Sequence, residues 1–284
     1  MAMTAPYSLL HLTDVHAVPE GLLHGSADPW GGLTAALDAA VASGTTFDAI
    51  ILSGDNTDSG DEVSYRLLGK AVDAAAERLG ARVVYAAGNH DVRGPLRAGL
   101  LGQAPTTEPY DHVVRLGGLR LVVLDTSVPG RHHGELDEAQ LAWLAKQLAE
   151  PAEDGTVLVM HHPPLGGLTP GFDDPRLSPH IDLREPDRLA EVVRGSDVRL
   201  VLAGHTHSAA AGQFAGVPVW VGPGSAYAAD PLSPAGLITA VPFQACTKVE
   251  ITASDVRTVL VPLRQGPPVY QLPLQQLVSH LSGH

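Results

Sequence analysis

The chain alternates between short apolar runs and longer stretches with helical periodicity. Three stretches place apolar residues at helical spacing, namely Leu33 to Val41, Val63 to Ala75 and Leu141 to Leu148. Strands that alternate with helices predict an α/β fold. The six runs that are typical of strands buried on both faces are SLLHL from Ser8, DAIILS from Asp48, RVVYAA from Arg82, LRLVVLD from Leu119, TVLVM from Thr156 and VRLVLA from Val198.

The pattern changes from about Ala215 onwards. The runs GVPVWVG, KVEITAS and VRTVLVPL follow one another with turns and no long helical pattern between them. They favour antiparallel strands that complete a second sheet. We therefore predict one large domain over residues 1–265 and a proline-containing surface strap or tail over residues 266–284.

Polar side chains follow five of the six apolar runs. Because the carboxyl ends of parallel strands lie along one edge of a sheet, we expect these five clusters to meet in one crevice. Two of the histidines are only two residues apart, which in an extended strand would place both imidazoles on one face. In chain order the clusters are Asp14 and His16; Asp55 and Asp58; Asn89, His90 and Asp91; His161 and His162; and His205 and His207.

The chemistry of these donors predicts a metal site. Carboxylate, imidazole and amide oxygen together suit divalent cations of intermediate softness such as Mn, Fe, Zn or Co. Cys246 is the only cysteine, so a structural zinc site of the cysteine type is excluded, and this residue is expected to be a small buried apolar side chain. The donors are too many for one cation, and two cations that share one carboxylate are the economical number.

Charge and composition exclude several other classes of protein. The chain has 18 Lys plus Arg against 31 Asp plus Glu, a formal charge of −13. We see no basic cluster, which argues against a nucleic-acid partner. The chain has a single cysteine, no basic region at the N-terminus and no apolar run of about 18 residues. These features predict a cytoplasmic protein without a membrane span.

The ordered series of motifs resembles the calcineurin-like metallophosphoesterases. The stretches LHLTDVH, DAIILSGDNTDSG, GNHDVR, LDTSVPGRHHGELDEAQLAWL and MHHPP are most similar to the class III cyclic nucleotide phosphodiesterases of bacteria. The likeness extends from about Ser8 to Ser208 and is weaker to about Pro262. It implies a four-layer αββα sandwich of two mixed sheets, with a site for two divalent cations at its top, and it suggests a homodimer.

The same resemblance implies a role for each motif residue. Asp58 would orient His90, which would contact the phosphate or protonate the leaving group. His161 is preferred to His162 because the family's ligand lies two residues before the first proline. The cations, Fe, Mn or Zn, would be held by Asp14, His16 and His207 on one side and by Asn89, His161 and His205 on the other, with Asp55 bridging both. The residues expected to face the substrate are His16, Asp55, Asn89, His90 and His207.

Two departures narrow the activity that the resemblance implies. Asp58 stands where purple acid phosphatases have a tyrosine ligand, and Ser59 stands where Ser/Thr protein phosphatases have an arginine. The implied substrate is a small phosphodiester of the 3′,5′-cyclic nucleotide class, with cyclic AMP as the first candidate. A hydroxide that two cations share would open it to the 5′-monophosphate. A glycerophosphodiesterase or broad-specificity phosphodiesterase is the main alternative, and a non-catalytic metal-binding scaffold is the alternative from another class.

Three further features carry narrower expectations. His132 and His133 follow the fourth strand and either border the substrate pocket or form a solvated loop pair. The loop from Gly166 to His180 is a candidate for choosing the substrate. Asp91 is expected to cap a helix rather than to take part in chemistry.

Overall fold

The computed structural model describes residues 6–167, 178–234, 237–263, 266 and 271–281. The helices are α1 (Pro29–Ala42), α2 (Glu62–Leu79), α3 (Arg93–Gly99), α4 (Glu138–Leu148), α5 (Ser178–Ile181), α6 (Pro186–Val193) and α7 (Leu274–Leu281). The strands are β1 (Tyr7–Leu12), β2 (Ala49–Ser53), β3 (Arg82–Ala86), β4 (His112–Leu116), β5 (Leu119–Val123), β6 (Thr156–Val159), β7 (Val198–Ala203), β8 (Ala210–Phe214), β9 (Val217–Val221), β10 (Ala228–Ala229), β11 (Ala240–Val241), β12 (Ala245–Ile251) and β13 (Val256–Pro262).

The long strands form two mixed sheets. One sheet has the order β13-β12-β1-β2-β3, and the other has the order β4-β5-β6-β7-β9-β8. In the first sheet β1, β2 and β3 are parallel, and β12 pairs antiparallel with both of its neighbours, β1 and β13. In the second sheet β5, β6, β7 and β9 are parallel, and the edge strands β4 and β8 pair antiparallel with β5 and β9. The six strands predicted from apolar runs are therefore divided equally between the sheets.

The two sheets pack face to face through a buried apolar layer. Leu9 and Ile51 of the first sheet belong to one buried cluster with Leu121, Val159 and Leu202 of the second. A separate apolar cluster lies between the first sheet and helices α1 and α2, and another lies between the second sheet and helices α4 and α6. The predicted four-layer αββα sandwich is confirmed.

Helix caps fix where the connecting loops end. Asp61 accepts a hydrogen bond from the Ser64 N–H at the start of α2, so the cap of this helix lies three residues after Asp58. At the start of α4, Asp137 and Gln140 form a reciprocal capping box. The caps therefore define the ends of the loops that follow β2 and β5.

The prediction for the C-terminal strands is partly wrong. Strand β9 does extend the second sheet, but it pairs parallel to β7. Strands β12 and β13 are antiparallel, yet they join β1 in the first sheet. An apolar run predicts a strand but not its partner, because pairing is set by the packing of distant segments.

The C-terminal region contains one element that the sequence did not predict. Residues Leu274–Leu281, within the predicted tail, form helix α7. The division of the chain at residue 265 remains a prediction. Among the helices of the described residues, none combines the length and the apolar character that a bilayer crossing would require.

Candidate metal centre

The loops after the central strands of both sheets meet at one edge of the sandwich. They are joined by backbone hydrogen bonds, from the Asp14 N–H to the Gly54 carbonyl at 3.1 Å and from the Gly204 N–H to the His161 carbonyl at 2.9 Å. The approach is so close at Gly204 that a Cβ there would overlap Thr13. The crevice expected from the sequence is therefore formed by two sheets rather than by one.

Five of the seven predicted ligands have left-handed backbone conformations. The φ angles are 52° at Asp14, 46° at His16, 49° at Asp55, 73° at His205 and 54° at His207. Each costs an L-residue about 1–2 kcal/mol relative to the right-handed region. Such strain persists only where surrounding contacts maintain it, and it is typical of functional sites.

The two histidines after β7 reach the crevice by a different route from the one expected. His205 and His207 lie beyond the end of β7 at Ala203 and both have positive φ. The argument from an extended strand was therefore wrong. Their side chains nevertheless reach the donors at the strand ends, His205 beside His161 and His207 beside Asp14 and His16.

A first group of donors consists of Asp14, His16 and His207. One atom of each lies within 4.8 Å of one atom of the others. The Nε2 atoms of His16 and His207 are 3.1 Å apart, and His207 Nε2 is 3.5 Å from Asp14 Oδ1. All three side chains are buried.

A second group forms around His161. Its Nε2 lies 3.1 Å from Asn89 Oδ1 and 3.4 Å from Asp55 Oδ2. His205 joins this group with a ring nitrogen within 4.8 Å of His161. Asp55 Oδ2 is also 3.6 Å from His16 Nε2, so this carboxylate lies between the two groups.

Hydrogen bonds outside the cluster fix the tautomers of its histidines. The Nδ1 atoms of His161 and His207 face the carbonyls of Ser53 and Tyr227 at 2.9 and 3.2 Å. A carbonyl only accepts, so in the neutral ring Nδ1 carries the proton and Nε2 keeps its lone pair. His16 Nδ1 faces the Asp58 carboxylate at 3.2 Å with the same result. Such bonds orient metal-ligating histidines in proteins.

Atoms that can only accept therefore converge on a small buried volume. The lone pairs of His16 and His207 face each other, and that of His161 faces oxygens of Asn89 and Asp55. These groups repel one another unless a proton or a cation lies between them. Imidazole, carboxylate and amide oxygens fit divalent cations, so the described cluster offers ligands for them.

The pKa values in the cluster are set by burial and by the charges of Asp55 and the histidines around it. Burial opposes the charged form of His161, but the adjacent Asp55 carboxylate outweighs it and raises the pKa of His161 to about 9. Burial dominates at His205 and lowers its pKa to about 4. Burial also opposes ionisation of Asp55, yet the surrounding histidines hold its pKa well below the usual value. A bound cation would displace protons from such a site.

The structure distinguishes the adjacent residues His161 and His162. Both ring nitrogens of His162 have partners of their own, Thr126 Oγ1 at 2.8 Å and the His132 carbonyl at 3.1 Å. The Nε2 of His161 instead points at Asn89 and Asp55. The geometry therefore supports the preference for His161, although its role as a ligand remains a prediction.

His90 and Asp58 are in contact, but not as a simple side-chain pair. His90 Nδ1 donates to the Asp58 backbone carbonyl at 2.7 Å, whereas the carboxylate oxygen is 3.7 Å away. That carboxylate is closer to His16. The His90 N–H also donates to Asp55 Oδ1 at 2.9 Å. Its side chain is 33% exposed and lines the cavity above the donors.

The loop histidines after β5 separate into two environments. His132 lines the cavity and accepts a hydrogen bond at Nδ1 from the Asn89 side-chain amide, 3.3 Å away. This contact turns the oxygen of Asn89 towards His161. His133 is buried and is not among the residues that line the cavity. Most of the Gly166–His180 loop, residues 168–177, lies outside the described residues.

Asp91 does not cap a helix, so that expectation was wrong. Val92 occupies the N-cap position of α3 and has no side-chain cap. The buried Asp91 carboxylate accepts hydrogen bonds from the Gly88 N–H at 2.8 Å, the Asn56 side chain at 2.9 Å and the Tyr65 hydroxyl at 2.8 Å. It therefore connects the Asp55 loop to the Asn89 loop.

Asp91→Asn is expected to destabilise the protein by about 2–4 kcal/mol, because an amide keeps only one of the two acceptor oxygens and some of the donors around it lose their partner. Tyr65→Phe removes one of these partners and is expected to cost about 1–2 kcal/mol. Urea unfolding of both variants measures the two effects. Equal stability of Asp91→Asn and the wild type would show that the carboxylate does not hold the loops together.

One residue of the centre gave no signal in the sequence. The Tyr227 ring stacks on His207 with ring centroids 4.3 Å apart, and its carbonyl accepts the hydrogen bond from His207 Nδ1. It lies between β9 and β10, without a motif around it. Only the folded chain brings it to the cavity.

Comparison with known proteins supports the fold and the family that the sequence predicts. The family model for calcineurin-like phosphoesterases matches residues 7–209. The chain is 45% identical over 222 residues, 78% of its length and 72% of the relative's, to a "Probable cyclic nucleotide phosphodiesterase" of Rhodococcus erythropolis. It is 40% identical over 262 residues, 92% of its length and 80% of the relative's, to a cAMP/cGMP dual specificity phosphodiesterase of Mycobacterium tuberculosis.

A solved structure shares the fold at much lower identity. A dimetal phosphatase from Danio rerio superposes with a TM-score of 0.60 at 16% identity, over 91% of this chain and 99% of that one. At this identity the likeness shows the architecture alone.

Proposed function

Because the chain belongs to the calcineurin-like phosphoesterase family, we propose that it is a metal-dependent phosphodiesterase that opens 3′,5′-cyclic nucleotides, cyclic AMP among them, to 5′-monophosphates. The observation that carries the proposal is the set of acceptor atoms around Asp55. In their neutral form, three of the imidazoles direct the Nε2 lone pair into this cluster. The names of the two relatives favour cyclic nucleotides as the substrate class.

The proposed ligands divide between two positions. Asp14, His16 and His207 would hold one cation, and Asn89, His161 and His205 the other, with Asp55 shared. Two divalent cations supply a strongly nucleophilic water at neutral pH and stabilise charge on the phosphate oxygens. Manganese, iron and zinc all suit this donor set.

With two cations bound, the net charge of the site would favour an anionic substrate, although the whole chain has a formal charge of −13. Asp14 and Asp55 contribute −2 against +4 from two divalent cations, so the pocket would be positive once it holds them. Carboxylates elsewhere on the surface are screened over about 8–10 Å at physiological salt. A phosphodiester can therefore enter a positive pocket in an acidic protein.

His90 is the proposed general acid. Its Nδ1 is held by the Asp58 carbonyl, so the ring presents Nε2 to the cavity. Water adds to phosphorus as hydroxide after losing one proton to solvent, and the bond from phosphorus to O3′ breaks. The departing O3′ takes a proton from Nε2 of the His90 imidazolium, and solvent restores that proton after the reaction. Asp58 positions two rings at once, His90 through its backbone and His16 through its carboxylate.

A substrate panel tests the proposed function. We expect manganese-loaded protein to hydrolyse 3′,5′-cyclic AMP and 3′,5′-cyclic GMP with kcat/KM about tenfold or more above that for glycerophosphoethanolamine. The reverse order would identify a glycerophosphodiesterase. Loaded protein that leaves all phosphodiesters intact would instead indicate a metal-binding scaffold. The cytoplasmic location and the homodimer remain predictions.

A further inference from the structure

We propose that the nucleobase of the substrate binds against the short ribbon of β10 and β11, on an apolar wall formed by Tyr227, Ile238 and Ala240. This inference rests on the proposed function and names the part of the chain that recognises the nucleoside. It differs from the expectation from the sequence, which pointed to the loop at residues 166–180.

The cavity above the metal centre has two chemically different sides. One side carries the polar donors, including Asp55, Asn89 and His90. The other side is built from the ribbon, with Ala229, Ile238, Thr239 and Ala240. The cavity measures about 310 Å³, within the size range of small-molecule sites. A ligand with a charged phosphate and a flat, weakly polar ring fits both sides at once.

The ribbon is fixed in position relative to the metal centre. The Ala229 N–H donates to the His207 carbonyl at 3.2 Å, and the Tyr227 carbonyl accepts from the His207 ring. Ala229 pairs with Ala240 across the ribbon, and the Asp230 N–H donates to the Thr239 carbonyl at 2.8 Å. The segment from Tyr227 to Ala229, which orients the proposed metal ligand His207, therefore also positions the apolar wall.

Tyr227 provides an aromatic surface at the boundary of the cavity. Its ring stacks on His207 and meets the His24 ring edge-on, with centroids 5.9 Å apart. It lines both the main cavity and a neighbouring cavity of about 190 Å³ that it shares with His24 and Pro242. An aromatic ring in this position suits contact with a planar base.

Ile238 completes the wall with an exposed apolar side chain. It is 57% exposed and lines the cavity, whereas its neighbour Leu237 is 58% exposed and is not among the lining residues. The position of Ile238 at the cavity, and not its exposure, is therefore what offers this apolar side chain to a substrate. The hydroxyls of Thr206 and Thr239 already have partners, Ser208 and Ser233, so the wall contacts the face of a base rather than its polar edge.

Two matched cyclic phosphates and two matched variants test the proposal. Cyclic AMP and methyl riboside 3′,5′-cyclic phosphate share the phosphate and the ribose, and only the first has a base. We expect Ile238→Ser to lower kcat/KM for cyclic AMP about tenfold, through KM, and to leave the abasic substrate unchanged. Leu237→Ser, with the same chemistry at similar exposure, is expected to change neither substrate.

The outcomes separate this inference from the proposed function. A wild type without preference for cyclic AMP over the abasic substrate would overturn the base site while leaving phosphodiester hydrolysis intact. An equal effect of Ile238→Ser on both substrates, or no effect on either, would overturn it as well. If the metal-loaded wild type hydrolyses neither cyclic phosphate, the proposed function itself is contradicted.

Discussion

Asp55→Asn is expected to leave a folded protein that holds at most one cation and hydrolyses cyclic AMP about 10³-fold more slowly than the wild type. The buried Asp55 carboxylate lies 3.4 Å from His161 and 3.6 Å from His16, so its charge serves both groups of donors. An amide keeps one oxygen for the His90 N–H but removes the negative charge and one of the two oxygens. The loss of one cation removes several kcal/mol of transition-state stabilisation, and about 4 kcal/mol corresponds to this change in rate.

Metal content and cyclic AMP turnover, measured on the same preparations, check this prediction. Asp61→Asn is the matched control, since Asp61 caps α2 outside the centre and asparagine caps a helix equally well. The control is expected to keep two cations and full turnover. Two cations and unchanged turnover in Asp55→Asn would show that this carboxylate does not bridge.

His90→Ala is expected to lower kcat for cyclic AMP by about 10²–10⁴-fold with both cations retained, because a general acid contributes that much to the rate. The ring lines the cavity, and its Nδ1 is held by the Asp58 carbonyl, so the substitution removes a proton donor without removing a proposed ligand. A substrate that releases a weakly basic alcohol needs no such donor.

The choice of substrate separates acid catalysis from a structural role. On bis(4-nitrophenyl) phosphate, whose leaving group departs as a stabilised anion, His90→Ala is expected to lose much less activity than on cyclic AMP. Equal losses on both substrates would assign His90 to positioning alone. Loss of metal with unchanged turnover per loaded site would refute the assignment altogether.

The sequence predicts those parts of the structure that depend on local pattern. Each of the six strands and the donors that follow them could be located because a buried strand and the polar turn after it are adjacent in the chain. Edge strands such as β4 and β8 were missed, since residues like Arg115 and Gln213 interrupt their apolar pattern. Strand partners were mistaken where β12 and β13 return to β1 from the far end of the chain.

The features that the sequence could not predict depend on contacts between distant segments. The left-handed conformations at His205 and His207 are maintained by neighbouring loops. Asp91 takes two of its partners, Asn56 and Tyr65, from 35 and 26 positions away. Tyr227 and Ile238 reach the cavity only because their ribbon is bound to the loop of His207. Local patterns therefore located the proposed metal donors, while the parts that would select the substrate required the structure.

The central claim is that two cations share Asp55 at the edge between the sheets. The most direct test is anomalous diffraction from crystals of the protein loaded with manganese. We expect two anomalous peaks about 3.5–4 Å apart, both within bonding distance of the Asp55 carboxylate. A single peak, or peaks that no oxygen of Asp55 contacts, would contradict the account.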